Sequence, residues 1–214
     1  MKYNNVYFFN GNAYAGKSTI VRELAKKYNG IECGENYHNA LLNNLDKNEF
    51  PGLCYTRDLK DFHDFVRRSP DEYEKWIDET SKECEILELQ ILDKLASSSK
   101  LVFVDTNISL KTLHEISDKD HVLIMLTDPD VSVNRFFERE DRDKQFLYKL
   151  LQDEENVEEA MDNFKNCLKR INSKERYNLF LNSGFNVLIK DEKRTIEETI
   201  ILVEDILKLK KAHL

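Results

Sequence analysis

Short unbroken apolar runs punctuate an otherwise polar chain, and each reads as a buried strand. The clearest are Val6-Tyr7-Phe8-Phe9, Leu101-Val102-Phe103-Val104, Val122-Leu123-Ile124-Met125-Leu126, and Phe185 with Val187-Leu188-Ile189. A weaker candidate, Ile31-Glu32-Cys33, ends at Gly34. Helical patterning fills the intervals, beginning with Ile20, Val21, Leu24 and Ala25 after the first run. Strands that alternate with helices predict an α/β fold, a right-handed doubly wound parallel sheet with ligands at the carboxyl ends of its strands.

Helix starts are spelled out by capping residues. Ser69-Pro70-Asp71-Glu72 supplies an N-cap serine, a proline at the first helical position and a glutamate three residues on, which together form a capping box. The face that follows is Tyr73, Ile77, Thr80, Cys84, Leu87, Ile91 and Leu95, up to the serines at 97–99. Asp128-Pro129 opens another helix. Thr195-Ile196-Glu197-Glu198 boxes the last one, with Ile196, Ile200, Val203 and Leu207 on its apolar face.

About 65 residues separate the weak strand from Leu101, more than a plain crossover requires. The segment is helical and aromatic, from Tyr37 and Phe50 to Tyr73 and Trp76. It predicts a helical insertion over about 36–98 that covers an acceptor site. A second helical stretch carries Phe146, Leu150, Phe164 and Leu168, and predicts a lid region over about 132–180. The whole chain, 1–214, is expected to be one domain.

The candidate chemistry lies directly after the first strand. Gly11, Asn12, Ala13, Tyr14, Ala15, Gly16, Lys17 and Ser18 fit G-x-x-x-x-G-K-[ST] at every fixed position, and Thr19 follows. Strand, glycine-rich loop and helix N-terminus bring backbone N–H groups and a helix dipole into one concavity, so a polyphosphate is held without a dense basic cluster. Lys17 then reaches the β- and γ-phosphates, and Ser18 ligates Mg²⁺. The alternative is a glycine turn that only caps a helix.

Composition narrows the partners. A net charge of −8 argues against a protein that coats nucleic acid or an anionic membrane. There is no apolar targeting segment and no membrane-length run, so a cytoplasmic location is expected. The four cysteines, Cys33, Cys54, Cys84 and Cys167, form no C-x-x-C pair, and the five histidines lack metal-ligand spacing.

Two further features extend the phosphate chemistry. Asp105 closes the Leu101–Val104 run as an acid at a strand tip, placed to hold Mg²⁺ with Ser18 or to meet an acceptor, with Thr106 and Asn107 beside it. Arg135, Arg139 and Arg142 are spaced by four and three, so on a helix they share one face. They form either a lid closing over ATP or a solvated face stitched by Glu138 and Asp141.

With these residues in view, the chain resembles the P-loop kinases of nucleoside monophosphates and small metabolites, including adenylate, shikimate and gluconate kinases. The resemblance rests on the Gly11–Ser18 run, Val104-Asp105, and the Ile124-Met125-Leu126 strand followed by Arg135-x-x-x-Arg139. It implies a three-layer α/β/α fold whose five strands run in the order 2-3-1-4-5, with a mobile lid near Arg135 to Arg142. Gly34-Glu35-Asn36-Tyr37-His38 is similar to a G-D-x-x-H run of gluconate-type kinases. By that likeness Glu35 orients the acceptor or serves as base; otherwise it caps a helix. Arg57, Arg67 and Arg68 are candidates to bind an anionic acceptor, or are surface residues. Arg170, Lys174 and Arg176 are candidates to face the lid cleft.

The expected function is an ATP- and Mg²⁺-dependent kinase acting on a small hydroxyl or phosphate acceptor, as a monomer or homodimer. The alternative is a regulatory ATP-binding protein without catalysis. A GTPase would carry an N-K-x-D run, and the sequence has none.

Overall fold

Val6–Gly11 (β1), Ile31–Cys33 (β2), Val102–Asp105 (β3), Val122–Leu126 (β4) and Asn186–Ile189 (β5) pair into one all-parallel sheet in the order β2-β3-β1-β4-β5. The computed structural model describes residues 2–138 and 142–209. The sheet is closed on both faces because its strands alternate between two cores. Val6 and Phe8 point into one, with Val102, Val104, Val122 and Ile124. Tyr7 and Phe9 point into the other, with Phe103, Leu123 and Met125. A strand buried on both faces must be apolar throughout, which is why these runs are unbroken.

The helices that enclose the sheet are Lys17–Lys27 (α1), Leu110–Ile116 (α5) and Ile196–Ile206 (α10). The long interval before β3 holds a 3₁₀ stretch, Tyr37–Asn44, then Pro51–Asp58 (α2), His63–Val66 (α3) and Pro70–Leu95 (α4). The capping box of α4 is formed, with Glu72 N–H donating to Ser69 Oγ and Glu72 Oε2 accepting from Ser69 N–H. After β4 come Pro129–Asn134 (α6), Arg142–Gln152 (α7), Val157–Ile171 (α8) and Lys174–Leu181 (α9). No helix among the described residues is long and apolar enough to cross a membrane.

A third core stands apart from the sheet. Phe65 and Val66 of α3 and Tyr73 of α4 pack with Val133, Leu151, Phe164, Cys167 and Leu168 from α6, α7 and α8. The two helical excursions, far apart in sequence, therefore share one hydrophobic cluster. Ion pairs reinforce the junction: Arg170 contacts Asp71 and Glu74, and Arg176 contacts Glu74 and Asp78. Arg170 and Arg176 are thus committed to joining α8 and α9 to α4, while Lys174 is exposed on α9.

The expected single arginine face after β4 is not formed. α6 stops at Asn134, with Arg135 as its C-cap, and Arg142 opens the separate helix α7. The reason lies at the Arg135 carbonyl, which accepts from Glu138 N–H and from the Tyr14 hydroxyl, so the chain turns there. Phe136 and Phe137 follow and pack their rings on Phe164.

Acidic α4 holds a second departure from the pattern. Glu83 and Glu88 lie outside the apolar stripe from Tyr73 to Leu95, yet both are buried. Glu83 accepts from the backbone N–H groups of Gly52 and Leu53 at 2.9 and 2.8 Å, and so closes the N-terminus of α2.

Candidate functional site

The link from β1 to α1 is bent by three left-handed residues. Gly11 has φ 128°, and a Cβ there would lie 1.9 Å from the Met125 carbonyl oxygen of the neighbouring strand. Gly16 has φ 91° and is the N-cap of α1, while Tyr14 between them is held at φ 66°. Side chains from the rest of the sheet pin the loop. Asn12 donates to the Thr127 carbonyl at 2.7 Å and accepts from Thr127 N–H at 2.9 Å, and Ser132 Oγ donates to the Ala13 carbonyl.

Helix α1 begins without a side-chain cap and without an acid in its first turn. By contrast α4, α5, α6, α8, α9 and α10 each start on a serine, threonine, aspartate or asparagine that accepts from its own first turn. The amide donors at the start of α1 are therefore left to a ligand or solvent, which is what anion binding at a helix N-terminus needs.

Three predicted residues converge at that point. Ser18 Oγ donates to Asp105 Oδ2 at 2.6 Å, Lys17 Nζ stands 3.8 Å from Asp105 Oδ1, and Lys17 Nζ also donates to the Asn12 carbonyl at 3.1 Å. Asp105 is 3% exposed. Burial pushes its carboxyl above the usual aspartate range, against the opposing pull of the Lys17 ammonium and the Ser18 hydroxyl; Glu35 and Glu88 add to the rise. Glu35 is exposed at the end of β2 and near enough for its charge to reach Asp105.

A hydroxyl and a carboxyl side by side are hard oxygen donors of the kind Mg²⁺ takes from a protein when phosphate and water complete its shell. Ser18 and Asp105 fit that role. No cluster of three or more His, Cys, Asp or Glu placed to hold a metal by themselves occurs among the described residues.

Two cavities bear on the site, and only one of them is lined by the loop. The first, about 410 Å³, lies beside Tyr14, Ala15, Gly16 and Thr19 and is closed by Arg135 and by the segment after β5. That segment contributes Lys190, Asp191 and Arg194, which the sequence reading did not single out. The available signal was a polar run between the last strand and the Thr195 capping box, at the carboxyl edge of the sheet.

The second cavity, about 680 Å³, opens between the two helical excursions and is lined by Glu35, Asn107 and several aromatic rings. Its polar floor is built on the buried Glu88. Thr106 Oγ1 and Asn107 N–H donate to Oε2 at 2.6 and 3.1 Å, while Asn107 Nδ2 and His38 Nδ1 meet Oε1 at 3.1 and 3.2 Å. One side chain of α4 thus fixes the segment after β3 against the segment after β2. His38 is the histidine that closes the Gly34–His38 run, whereas Glu88, a glutamate within a charged helix, carries no local sign of burial.

The remaining candidates fall as follows. Arg135 is half exposed, borders the first cavity and pairs with Glu138 at 3.7 Å. Arg142 is exposed. Arg139 lies outside the described residues. The three insertion arginines do not gather: Arg57 pairs with Asp58 and donates to the Leu42 and Leu45 carbonyls. Arg67 pairs with Glu154, and Arg68 lies over the Tyr55 and Trp76 rings.

No protein-family model matches the chain, and no curated protein sequence matches it.

Proposed function

We propose that the chain is a P-loop kinase that transfers the γ-phosphoryl group of ATP, with Mg²⁺, to a small-molecule acceptor. One observation carries the reading: Lys17, Ser18 and Asp105 meet at an uncapped helix start, with one cavity lined by the loop itself and a second lined by Glu35 and by Asn107, two residues beyond Asp105. One cavity suits the nucleoside end of the donor, and the other suits an acceptor. A nucleotide-gated regulator, the alternative, has no use for the second cavity beside Glu35.

In this mechanism the amides of residues 12–19 and the Lys17 ammonium cradle the β- and γ-phosphates. Bound Mg²⁺, held by Ser18 and Asp105, would neutralise charge on the phosphate oxygens. Asn107 and Glu35 orient the acceptor hydroxyl at the mouth of its cavity. Its oxygen bonds to the γ-phosphorus as the bridging P–O bond to the β-phosphate breaks, and ADP leaves with that electron pair. The hydroxyl proton passes to Glu35 and then to solvent. Arg135, half exposed beside the first cavity, is within the segment able to close on the phosphates and neutralise the transferring group. Closure would also exclude water as a competing acceptor.

The test is turnover. Purified protein with MgATP is screened against nucleosides, nucleotides, sugars and hydroxy acids for acceptor-dependent ADP and a phosphorylated product. Acceptor-dependent ADP that disappears in Lys17→Ala supports the reading. Tight MgATP binding with no turnover on any acceptor would transfer the case to the regulator.

A further inference from the structure

The second cavity has a composition that bears on what enters it. One wall is a set of interlocked rings. Phe65 meets Trp76 edge to face at 5.1 Å and 88°, and Tyr73 at 5.7 Å and 69°, while Phe62 of the insertion meets Phe146 of α7 at 5.3 Å and 79°. Phe65 and Tyr73 are buried and hold the half-buried Trp76 in place, so an aromatic face is offered there at little further entropic cost. The rest of the lining is polar and includes the carboxamides of Asn36, Asn39 and Asn107. The lining also carries Glu35, whose charge reaches Asp105.

Phosphate recognition calls for guanidinium forks or converging backbone amides. None of the three insertion arginines lines the cavity: Arg57 pairs with Asp58 and two carbonyls, Arg67 pairs with Glu154, and Arg68 lies over the Tyr55, Phe65 and Trp76 rings with its Nη1 buried and outside any hydrogen bond. Among the described residues the cavity's one basic side chain is Lys144, whose ammonium lies over the Tyr14 and Phe136 rings at 5.4 and 5.3 Å. Among the described residues the lining sets two carboxylates, Glu35 and Asp143, against that one ammonium, so an anionic acceptor would meet an excess of negative charge. A planar, uncharged acceptor would meet aromatic rings together with amide donors and acceptors. At about 680 Å³ the space lies within the range of small-molecule sites.

We infer that the acceptor is a neutral hydroxylated heteroaromatic compound of nucleoside size, stacked on the Trp76 wall and read by the cavity's carboxamides, with its hydroxyl toward Glu35. The inference rests on the kinase reading for the fate of that hydroxyl. The binding preference itself is measured without turnover, so the two fail separately.

Calorimetry on the full chain, saturated with the non-hydrolysable analogue of MgATP, is run against nucleosides and their 5′-monophosphates, together with hydroxylated pyridines and pyrimidines. Saturation with the analogue blocks binding in the donor cavity. At least one neutral compound is expected to bind about tenfold or more tightly than its monophosphate. Asn39→Ala, at an exposed position, and Trp76→Phe and Trp76→Ala at the wall complete the set. Trp76→Ala and Asn39→Ala should each weaken the compound by about tenfold, the size of one good aromatic or hydrogen-bonded contact. Trp76→Phe should retain most of the affinity, and the affinity for the ATP analogue should stay within twofold in every variant. A monophosphate that outbinds its nucleoside, a neutral ligand indifferent to Asn39→Ala and Trp76→Ala alike, or no neutral binder at all would overturn the inference. Failure to bind the ATP analogue in the parent protein would instead count against the kinase reading, and the neutral ligands would then be scored without it.

Discussion

Ser18 donates a 2.6 Å hydrogen bond to Asp105 across 87 residues of chain, joining the first turn of α1 to the tip of β3. The bond places a hydroxyl and a buried carboxyl where α1 begins, and it rests on the β1–β3 register that pairs Phe9 with Asp105. Position and charge are both available to a metal-bound phosphate chain.

Asp105 makes its ionised form costly to keep folded. Its carboxyl is held above the ordinary value of 3.8 by burial, more than Lys17 and Ser18 lower it. The folded protein therefore keeps this proton to higher pH than the unfolded chain does, so this group's contribution to stability falls as pH rises through that window and stays low above it. Asp105→Asn should be more heat-stable than the parent at pH 7, with the difference closing as pH drops toward 4. The same variant should lose about 100-fold in MgATP-dependent turnover. Melting curves across pH and a steady-state assay check both halves; a variant less stable at pH 7 would contradict the first.

Lys17→Ala removes a cation that the fold uses only lightly, through one carbonyl and a 3.8 Å approach to Asp105. It should fold normally and lose MgATP affinity by about 100-fold, which corresponds to ~3 kcal/mol and to the upper range for a charged hydrogen bond. Calorimetry decides it. Binding as tight as the parent's would remove this lysine from the site.

The two glycines of the loop differ in what constrains them. A Cβ on Gly11 would overlap the Met125 carbonyl at 1.9 Å, backbone against backbone, whereas one on Gly16 would meet nothing within 4 Å. Gly11→Ala should fail to fold or melt far below the parent. Gly16→Ala should fold, at a cost of about 1–2 kcal/mol for its left-handed backbone, and melt about 2–8 °C lower. Circular dichroism melts distinguish them, and equal melting points would show that the β1–β4 approach is not the constraint.

Glu88 supports the second cavity through Thr106, Asn107 and His38. In Glu88→Gln an amide NH₂ replaces one oxygen that faces donors, so a buried donor loses its partner at about 1–3 kcal/mol. Melting should fall by roughly 5 °C. Acceptor-dependent turnover should drop at least tenfold with MgATP affinity within twofold of the parent, because the loop itself is untouched. Unchanged turnover in a destabilised variant would leave Glu88 a purely structural residue.

Local pattern alone made much of this protein legible. The five strands, the capping boxes at Ser69 and Thr195, and the bend between Gly11 and Gly16 are written in neighbouring residues, because period, turn conformation and capping act over a few positions. Asp105 was legible for the same reason, as an acid ending an apolar run. The strand order came from resemblance and not from spacing, since many orders satisfy the same alternation of strand and helix.

The tertiary structure decided what depends on partners far along the chain. Glu83 and Glu88 sit in a charged helix, and only the arrival of α2 and of the segment after β3 turns them inward and supplies their donors. Arg135 and Arg142 fit one helical face by spacing, yet the Tyr14 hydroxyl and the packing of Phe136 and Phe137 end the helix first. The arginines at 57, 67 and 68 went to the nearest carboxylates, carbonyls and rings. The second cavity arose where α3 and α4 met α7 over a core shared with α8. Burial and charge pairing are properties of a place in space, and sequence neighbours determine that place only after the chain has packed.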